Sequence, residues 1–145
     1  MQTLYTAHAT TSAGRDGHTT TDDGKIDLEL SAPGSDGDGT NPEQLFACGY
    51  SACFGSALKS VAKSRDVSFD DITIKADVDL LKDEETGYNI AVHLDATIEG
   101  VDANTAKELV HKAHEVCPYS KATRGNIEVK LSVSGEALQV PPVAA

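Results

Sequence analysis

Residues 41–65 read NPEQLFACGYSACFGSALKSVAKSR, and this stretch predicts one long helix around which the rest of the chain is organised. Asn41 is a favourable N-cap, and Pro42 falls at the first helical position, where its missing N–H costs nothing. Glu43 lies in the first turn, where the helix dipole favours a carboxylate. Between its charged ends the helix carries apolar or small residues on almost every side, so we expect its middle to be buried all round.

Two glycines interrupt this helix. Gly49 and Gly55 each weaken a helix by roughly 1 kcal/mol relative to alanine, and we interpret them as points where another backbone approaches closely. Cys53 lies between them. A lone cysteine in a buried helix is more often a small hydrophobic residue than a nucleophile, so Cys53 needs a second observation to become a candidate.

The composition favours one soluble globular domain spanning residues 1–145, with a flexible C-terminal tail from about residue 138. No apolar run reaches the ~20 residues of a membrane span, and the N-terminal MQTLYTAHAT does not resemble a signal peptide. We therefore expect a cytoplasmic protein. A net charge of -11 argues against nucleic acid or a membrane surface as partner.

Three cysteines are an odd number in a chain without an export signal. This count fits a reducing compartment better than a disulfide scaffold, so any disulfide here is expected to be transient and catalytic.

Alternating apolar residues predict strands on both sides of the long helix. Before it, we expect a three-stranded antiparallel meander followed by a Gly-rich loop; after it, a hairpin, a second helix ended by Pro118, and a last strand. The fold class is therefore α+β, with antiparallel sheet packed around a long buried central helix. The predicted elements are strands 4–12, 18–21 and 25–31, loop 32–40, strands 72–81 and 88–99, helix 102–116 and strand 126–134.

Cys117 makes Cys53 a stronger candidate. It follows the second helix directly, and the two cysteines could meet only if the two long helices pack side by side, which this layout allows. Cys48 lies on a different face of the first helix from Cys53, and we interpret it as a buried small residue.

Arg15 and Glu43 are the two candidate charged residues. Arg15 is either an exposed turn residue or a cation that lowers the pKa of a thiol, since the thiolate is the nucleophile. Glu43 is either a favourable first-turn carboxylate or the bidentate partner that orients a guanidinium. Ten residues separate Glu43 from Cys53, about 15 Å along a straight helix. Either the arginine spans the gap, the helix breaks, or a second subunit contributes, and we favour the last, an intertwined homodimer.

A rival constellation is formed by His111, His114 and Cys117, whose spacing resembles metal ligands. On a helix His111 and Cys117 diverge by roughly 120° and lie about 9 Å apart along the axis, which is poor geometry for one tetrahedral ion. Solvated helix histidines are the simpler interpretation.

Three motifs, in order along nearly the whole chain, carry a family resemblance: GRDG (14–17), GTNPEQLFACGYSACF (39–54) and VCPYSKATRGNIEV (116–129). The chain resembles the organic hydroperoxide resistance proteins of the osmotically inducible protein C superfamily. Cys48 departs from the family pattern, in which alanine is usual at this position.

The resemblance implies a thiol-dependent peroxidase that reduces organic hydroperoxides to alcohols in oxidative stress defence, an intertwined homodimer with active sites at the interface. By motif match, Cys53 would be the peroxidatic cysteine, Cys117 the resolving cysteine, and Arg15 and Glu43 the polar pair that activates Cys53. Dihydrolipoamide or a lipoylated protein would reduce the disulfide, with no bound cofactor.

Two other classes stay open at this point. The same disulfide could serve a redox sensor or binding module, which would turn over poorly with dihydrolipoamide. A metal-binding protein would use His111, His114 and Cys117, and elemental analysis would reveal the ion.

Overall fold

A computed structural model describes residues 1–139, so most of the predicted tail, residues 140–145, lies outside the described part of the chain. The chain forms two compact units, Met1–Leu45 and the part from Phe46 onward. Among the described residues, no helix has the length and apolar character needed to cross a membrane.

The first unit contains the predicted antiparallel meander. Its strands are β1 (Ala9–Ser12), β2 (His18–Thr21) and β3 (Asp27–Glu29), in that order across the sheet. A short 3-10 turn, Gly14–Asp16, joins β1 to β2 where Ser12 pairs with His18.

Strand β2 has the predicted bounds, whereas β1 and β3 are shorter than predicted. β1 starts at Ala9 rather than at residue 4, because Leu4 and Tyr5 are exposed and the alternation there marks no buried face. The face shared by Ile26, Leu28 and Leu30 is buried only at Leu30, and β3 is correspondingly brief.

The long helix, α1 (Pro42–Ser64), begins as predicted, with the Gln44 N–H donating to Asn41 Oδ1 at 2.9 Å. Burial on all sides is wrong for the single chain. Cys48 and Ala52 are exposed, because the chain itself packs only against one stripe at helical spacing. The buried stripe consists of Tyr50, Phe54, Ala57, Leu58, Val61 and Ala62.

Among the described residues of this chain, side chains and not backbone atoms come nearest to the two helix glycines. A Cβ at Gly49 would lie 2.7 Å from the hydroxyl oxygen of Tyr119, and a Cβ at Gly55 would lie 3.5 Å from the Ile74 side chain. Gly49 therefore makes room for a tyrosine side chain that packs over the helix.

The second unit contains a four-stranded sheet in the order β4-β5-β6-β7. The long hairpin, β4 (Asp71–Asp83) and β5 (Gly87–Glu99), is confirmed, with pairs running from Asp71 and Glu99 to Asp83 and Gly87. The α+β class with antiparallel sheet is confirmed, and this second sheet is mixed, because β6 (Val129–Val133) pairs parallel to β5. The chain reaches β6 through a helical crossover, and such a connection brings a strand back in the same direction.

Two elements were missed at the end of the chain. Helix α2 (Ala103–Val116) has nearly the expected bounds and is capped by Asp102. The helical region continues after it, because Pro118 starts a short helix, α3 (Pro118–Thr123). Proline suits this first helical position. Strand β7 (Glu136–Leu138) follows β6 through a turn at Ser134 and Gly135, both with positive φ. The predicted tail from about residue 138 thus begins inside a strand.

The core of the second unit lies between α1, α2 and the inner face of β5 and β6. Its largest fully buried apolar side chains come from all four elements: Tyr50, Phe54, Leu58, Leu94, Leu109, Val110 and Leu131. Cys117 is part of the same cluster.

Candidate active site

Two cysteines meet where α1 passes the junction of α2 and α3. Cys53 lies in the middle of α1, Cys117 is the single residue between α2 and α3, and their sulfurs are 3.7 Å apart. Cys117 has no exposed surface, whereas Cys53 is half-buried. The structure thus brings the two predicted cysteines together as neighbouring free thiols.

The surroundings of Cys53 favour the neutral thiol. Burial raises the pKa of Cys53, the backbone N–H of Tyr119 lowers it, and the neighbouring Cys117 raises it, with a net increase. The Tyr119 N–H is thus a donor in this unit that stabilises a Cys53 thiolate. The role predicted for Arg15, lowering the pKa of Cys53, stays a prediction.

Cys117 is held by the hydrogen bonds of the helix junction. Its N–H donates to the Ala113 carbonyl at 2.8 Å and ends α2, and its own carbonyl accepts from the Lys121 N–H at 2.9 Å and starts α3. The Arg124 guanidinium donates to the carbonyl of His114 in the last turn of α2. The bonds fix the backbone on both sides of the sulfur.

Four buried side chains, Tyr50, His114, Ser120 and Thr123, form a polar cluster around this junction. The Tyr50 hydroxyl lies 2.8 Å from Ser120 Oγ and 3.2 Å from Thr123 Oγ1, and His114 Nδ1 lies 2.9 Å from Ser120 Oγ. Burial lowers the pKa of His114 and raises that of Tyr50, so both side chains are kept neutral. Sequence reasoning missed the polar cluster; its one sequence signal is that His114 and Ser120 flank Cys117 at three residues on either side.

Arg15 and Glu43 form a bidentate ion pair within the first unit. The two guanidinium nitrogens donate to the two carboxylate oxygens at 2.9 and 2.6 Å. The Glu43 side chain is 11% exposed and that of Arg15 is 47% exposed. The pairing raises the pKa of Arg15 and lowers that of Glu43, so both groups are charged. The bidentate geometry expected for this pair is present, and its action on Cys53 remains a prediction.

Two of the three residues of the rival metal constellation, His114 and Cys117, have other partners. His114 Nδ1 faces Ser120, and Cys117 faces Cys53. Within residues 1–139, no three His, Cys, Asp or Glu side chains converge in a way that could hold a metal ion. Cys48 is exposed, so its interpretation as a buried small residue is wrong for the single chain.

An open, largely apolar pocket of about 510 Å³ lies along α3, and Pro118 and Tyr119, the two residues that follow Cys117, are among its lining residues. Phe46 and Tyr119 line the pocket, whereas Phe54 is fully buried in the core. Tyr119 links the pocket to the cysteine pair, since its ring lines the pocket and its N–H acts on Cys53. The full lining is Phe46, Asn89, Ile90, Pro118, Tyr119, Ala122, Thr123, Asn126 and Ile127.

Comparison with known proteins identifies close relatives over nearly the whole chain. The profile of the OsmC-like protein family matches residues 34–132. The organic hydroperoxide resistance protein OhrB of Bacillus subtilis is 49% identical over 134 residues, covering 90% of this chain and 98% of its own length. The organic hydroperoxide resistance protein of Xanthomonas axonopodis pv. citri is 46% identical over 136 residues, covering 90% of this chain and 95% of its own. A crystal structure of an organic hydroperoxide resistance protein from Legionella pneumophila superposes with a TM-score of 0.88 at 49% identity, covering 92% of this chain and 99% of that one.

Proposed function

Because this chain belongs to the OsmC-like protein family, with organic hydroperoxide resistance proteins as its relatives, we propose that it is a cysteine-based peroxidase that reduces organic hydroperoxides. One observation carries the proposal: the chain places two free thiols 3.7 Å apart, and the residues that follow one of them line an apolar pocket. Two such thiols hold the two electrons that a hydroperoxide consumes when it is reduced to an alcohol.

The proposed reaction uses the two sulfurs in sequence. The Cys53 thiolate attacks an oxygen of the hydroperoxide, the O–O bond breaks, the alkoxide takes a proton and leaves as the alcohol, and Cys53 becomes a sulfenic acid. The Cys117 thiol then attacks the Cys53 sulfur, the S–OH bond breaks, and water leaves as the disulfide forms. Dihydrolipoamide or a lipoylated protein reduces the disulfide by thiol exchange and leaves as its own disulfide.

We assign Arg15 and Glu43 to the activation of Cys53. A guanidinium near the reacting oxygen and sulfur favours the thiolate and stabilises the negative charge that develops on the leaving alkoxide. The bidentate contact with Glu43 supports this role because it fixes the plane of the guanidinium before substrate arrives.

The same proposal includes a homodimer in which the partner subunit supplies the charged pair. It is supported by the length of α1, since ten helical residues place Glu43 about 15 Å along the axis from Cys53. The exposed side of α1, which carries Cys48 and Ala52, gives a partner subunit a surface to cover. Size-exclusion chromatography with light scattering tests this: an active, stable monomer at low concentration would remove the dimer from the proposal.

The apolar pocket supports a preference for organic over inorganic peroxide. An alkyl or acyl chain that enters it loses contact with water, and each buried CH₂ contributes about 0.8 kcal/mol. Hydrogen peroxide has no such group and gains nothing there.

Steady-state peroxide reduction tests the function directly. We expect wild-type protein to reduce tert-butyl hydroperoxide with dihydrolipoamide far faster than with a monothiol, and to prefer it to hydrogen peroxide. Cys53→Ser abolishes turnover, and Cys117→Ser allows one oxidation without dithiol-driven cycling. Cys48→Ser is the matched control and keeps full activity, because it makes the same sulfur-to-oxygen change outside the thiol pair. Full turnover in Cys53→Ser ends the assignment, and disulfide formation without turnover indicates a redox switch instead.

A further inference from the structure

The polar cluster joins the three helices that meet at the cysteine pair. Tyr50 lies three residues before Cys53 on α1, and Ser120 lies three residues after Cys117 on α3. Ser120 is fully buried, and its Oγ contacts both the Tyr50 hydroxyl at 2.8 Å and His114 Nδ1 at 2.9 Å. Ser120 is therefore the shared member of a hydrogen-bonded bridge that runs alongside the two sulfurs.

We propose that Ser120, held by Tyr50 and His114, is a positioning residue that aims Cys117 at Cys53 and thereby sets the rate at which their disulfide closes. The inference rests on the proposed peroxidase function and deepens it, because it concerns the second chemical step alone.

The backbone at Cys117 shows why positioning is needed. Cys117 has extended dihedrals, φ -60° and ψ 126°, between two helices, so it is the point about which α2 and α3 can change their relative direction. The side-chain contact of His114 with Ser120 spans this point, as does the bond from Arg124 to the His114 carbonyl. These two contacts restrain the angle between the helices and hence the direction of the Cys117 side chain.

The Tyr50 contact fixes the same junction against α1. Its hydroxyl reaches α3 at Ser120 and also at Thr123, where the distance is 3.2 Å. Because Tyr50 lies one helical turn before Cys53 on α1, the same contact also restrains the turn of α1 that carries the Cys53 sulfur. The hydrogen-bonded bridge and the relative position of the two sulfurs therefore depend on the same arrangement of α1, α2 and α3.

The chemistry of disulfide closure explains why only this step is sensitive. The S–H bond of Cys117 and the S–OH bond of Cys53 break, the S–S bond forms, and the thiol proton leaves with the hydroxide as water. The sulfurs have to approach from 3.7 Å to about 2.05 Å, along a direction set by the helix junction. Peroxide attack at Cys53 comes earlier and requires no movement of Cys117.

Removal of the bridging hydroxyl leaves Tyr50 and His114 without their shared partner in a buried site. Among the described residues, every buried side-chain nitrogen or oxygen has a hydrogen-bond partner, so Ser120→Ala creates a defect where none exists. The cost of an unpaired buried polar group is large enough to let the junction relax into other geometries.

Single-turnover measurements separate the two steps. Reduced protein is mixed with one equivalent of tert-butyl hydroperoxide; peroxide loss reports the first step, and trapping of sulfenic acid by dimedone at increasing delays reports the second. In Ser120→Ala and Tyr50→Phe we expect disulfide closure to be about tenfold slower, the effect of one lost buried hydrogen bond, with peroxide loss changed by less than about twofold.

Matched variants exclude a general loss of stability. Tyr88→Phe and Ser68→Ala make the same chemical changes at exposed positions and leave both steps unchanged. His114→Asn keeps a hydrogen-bonding atom near the Nδ1 position and restores most of the closure rate that His114→Leu loses. Circular dichroism checks folding, and if Ser120→Ala does not fold, Tyr50→Phe decides, because it keeps the packed ring.

Unchanged closure, or equal slowing of both steps, in folded Ser120→Ala or Tyr50→Phe overturns the positioning role. That result differs from failure of the proposed function, in which wild-type protein itself loses no thiols when it is mixed with hydroperoxide.

Discussion

Oxidation of the cysteine pair should stabilise the folded protein by an amount that follows from the chain length between the sulfurs. Cys53 and Cys117 are 64 residues apart, so their disulfide closes a long loop in the unfolded chain. The chain-entropy relation gives about 4.3 kcal/mol for such a loop. The approach of roughly 1.7 Å between the sulfurs costs part of this, and we expect a net gain of about 2–4 kcal/mol.

Urea unfolding of reduced and oxidised protein at one protein concentration measures this gain. With a slope of about 2 kcal/mol/M, the midpoint of the oxidised protein should rise by about 1–2 M. The Cys117→Ser variant, treated with the same hydroperoxide, shows no rise because it cannot close the loop, whereas Cys48→Ser behaves like the wild type. Equal midpoints for the two wild-type forms, or a rise that persists in Cys117→Ser, would refute the reasoning.

Four further predictions test the core, the charges and the pocket. Phe54→Ala removes a fully buried ring and should lower the free energy of unfolding by about 3–5 kcal/mol in urea titration. Glu29 and Asp27 each lie 2.5 Å from a ring nitrogen of His18 and raise its pKa. The stability that this contributes is complete below the unfolded pKa of about 6.5 and is lost as pH rises through the folded pKa. The difference in urea midpoint between wild type and His18→Gln should therefore shrink as pH rises through that folded pKa. Arg15→Ala should raise the pKa of Cys53, measured as the pH dependence of its alkylation rate, and an unchanged profile counts against its assigned role. Ala122→Glu puts a charge into the apolar pocket and should lower kcat/KM for tert-butyl hydroperoxide more than for hydrogen peroxide; equal losses would mean that the pocket does not select the substrate.

Residue patterns within a single segment predicted the strands and helices that depend mainly on that segment. The alternation from Ile72 onward and from Tyr88 onward predicted both strands of the hairpin with nearly the observed bounds, and Asn41 and Asp102 cap the two helices as their side-chain chemistry requires. The features that the sequence did not predict depend on contacts between residues distant in sequence. The parallel pairing of β6 with β5 follows from the path of the crossover, and a helical pattern does not specify that path.

The burial of α1 illustrates a second limit. The sequence shows that nearly every side of this helix tolerates burial, and it does not show which side the chain itself covers. The single chain covers the stripe of Tyr50 and Phe54 and leaves Cys48 exposed. A pattern that is apolar all round thus predicts burial correctly only when every packing partner belongs to the same chain.

The sequence indicated the residue types of the candidate site, but it did not indicate the hydrogen-bond network beside them. Cysteine, arginine and glutamate in these motifs suggest redox chemistry, since a thiol needs a cation to become a nucleophile. The bridge of Tyr50, Ser120 and His114 left almost no signal, because its members are common core or helix residues and Tyr50 is 70 residues from Ser120. Only the packing of α1 against the helix junction assigns them a shared role.

The two sulfurs are unequally buried. This difference is a physical reason, independent of the family resemblance, for the proposed roles of Cys53 as the peroxidatic and Cys117 as the resolving cysteine. Cys117 has no exposed surface, whereas Cys53 is half-buried next to Tyr119, which also lines the apolar pocket. Of the two sulfurs, Cys53 is therefore the one that a hydroperoxide can approach from outside the core. Burial also raises the pKa of Cys53 by more than the Tyr119 N–H lowers it, so this accessible sulfur is protonated at rest. In the proposed mechanism a cation has to favour the thiolate, and Arg15 supplied by a partner subunit would confine peroxide chemistry to the assembled dimer.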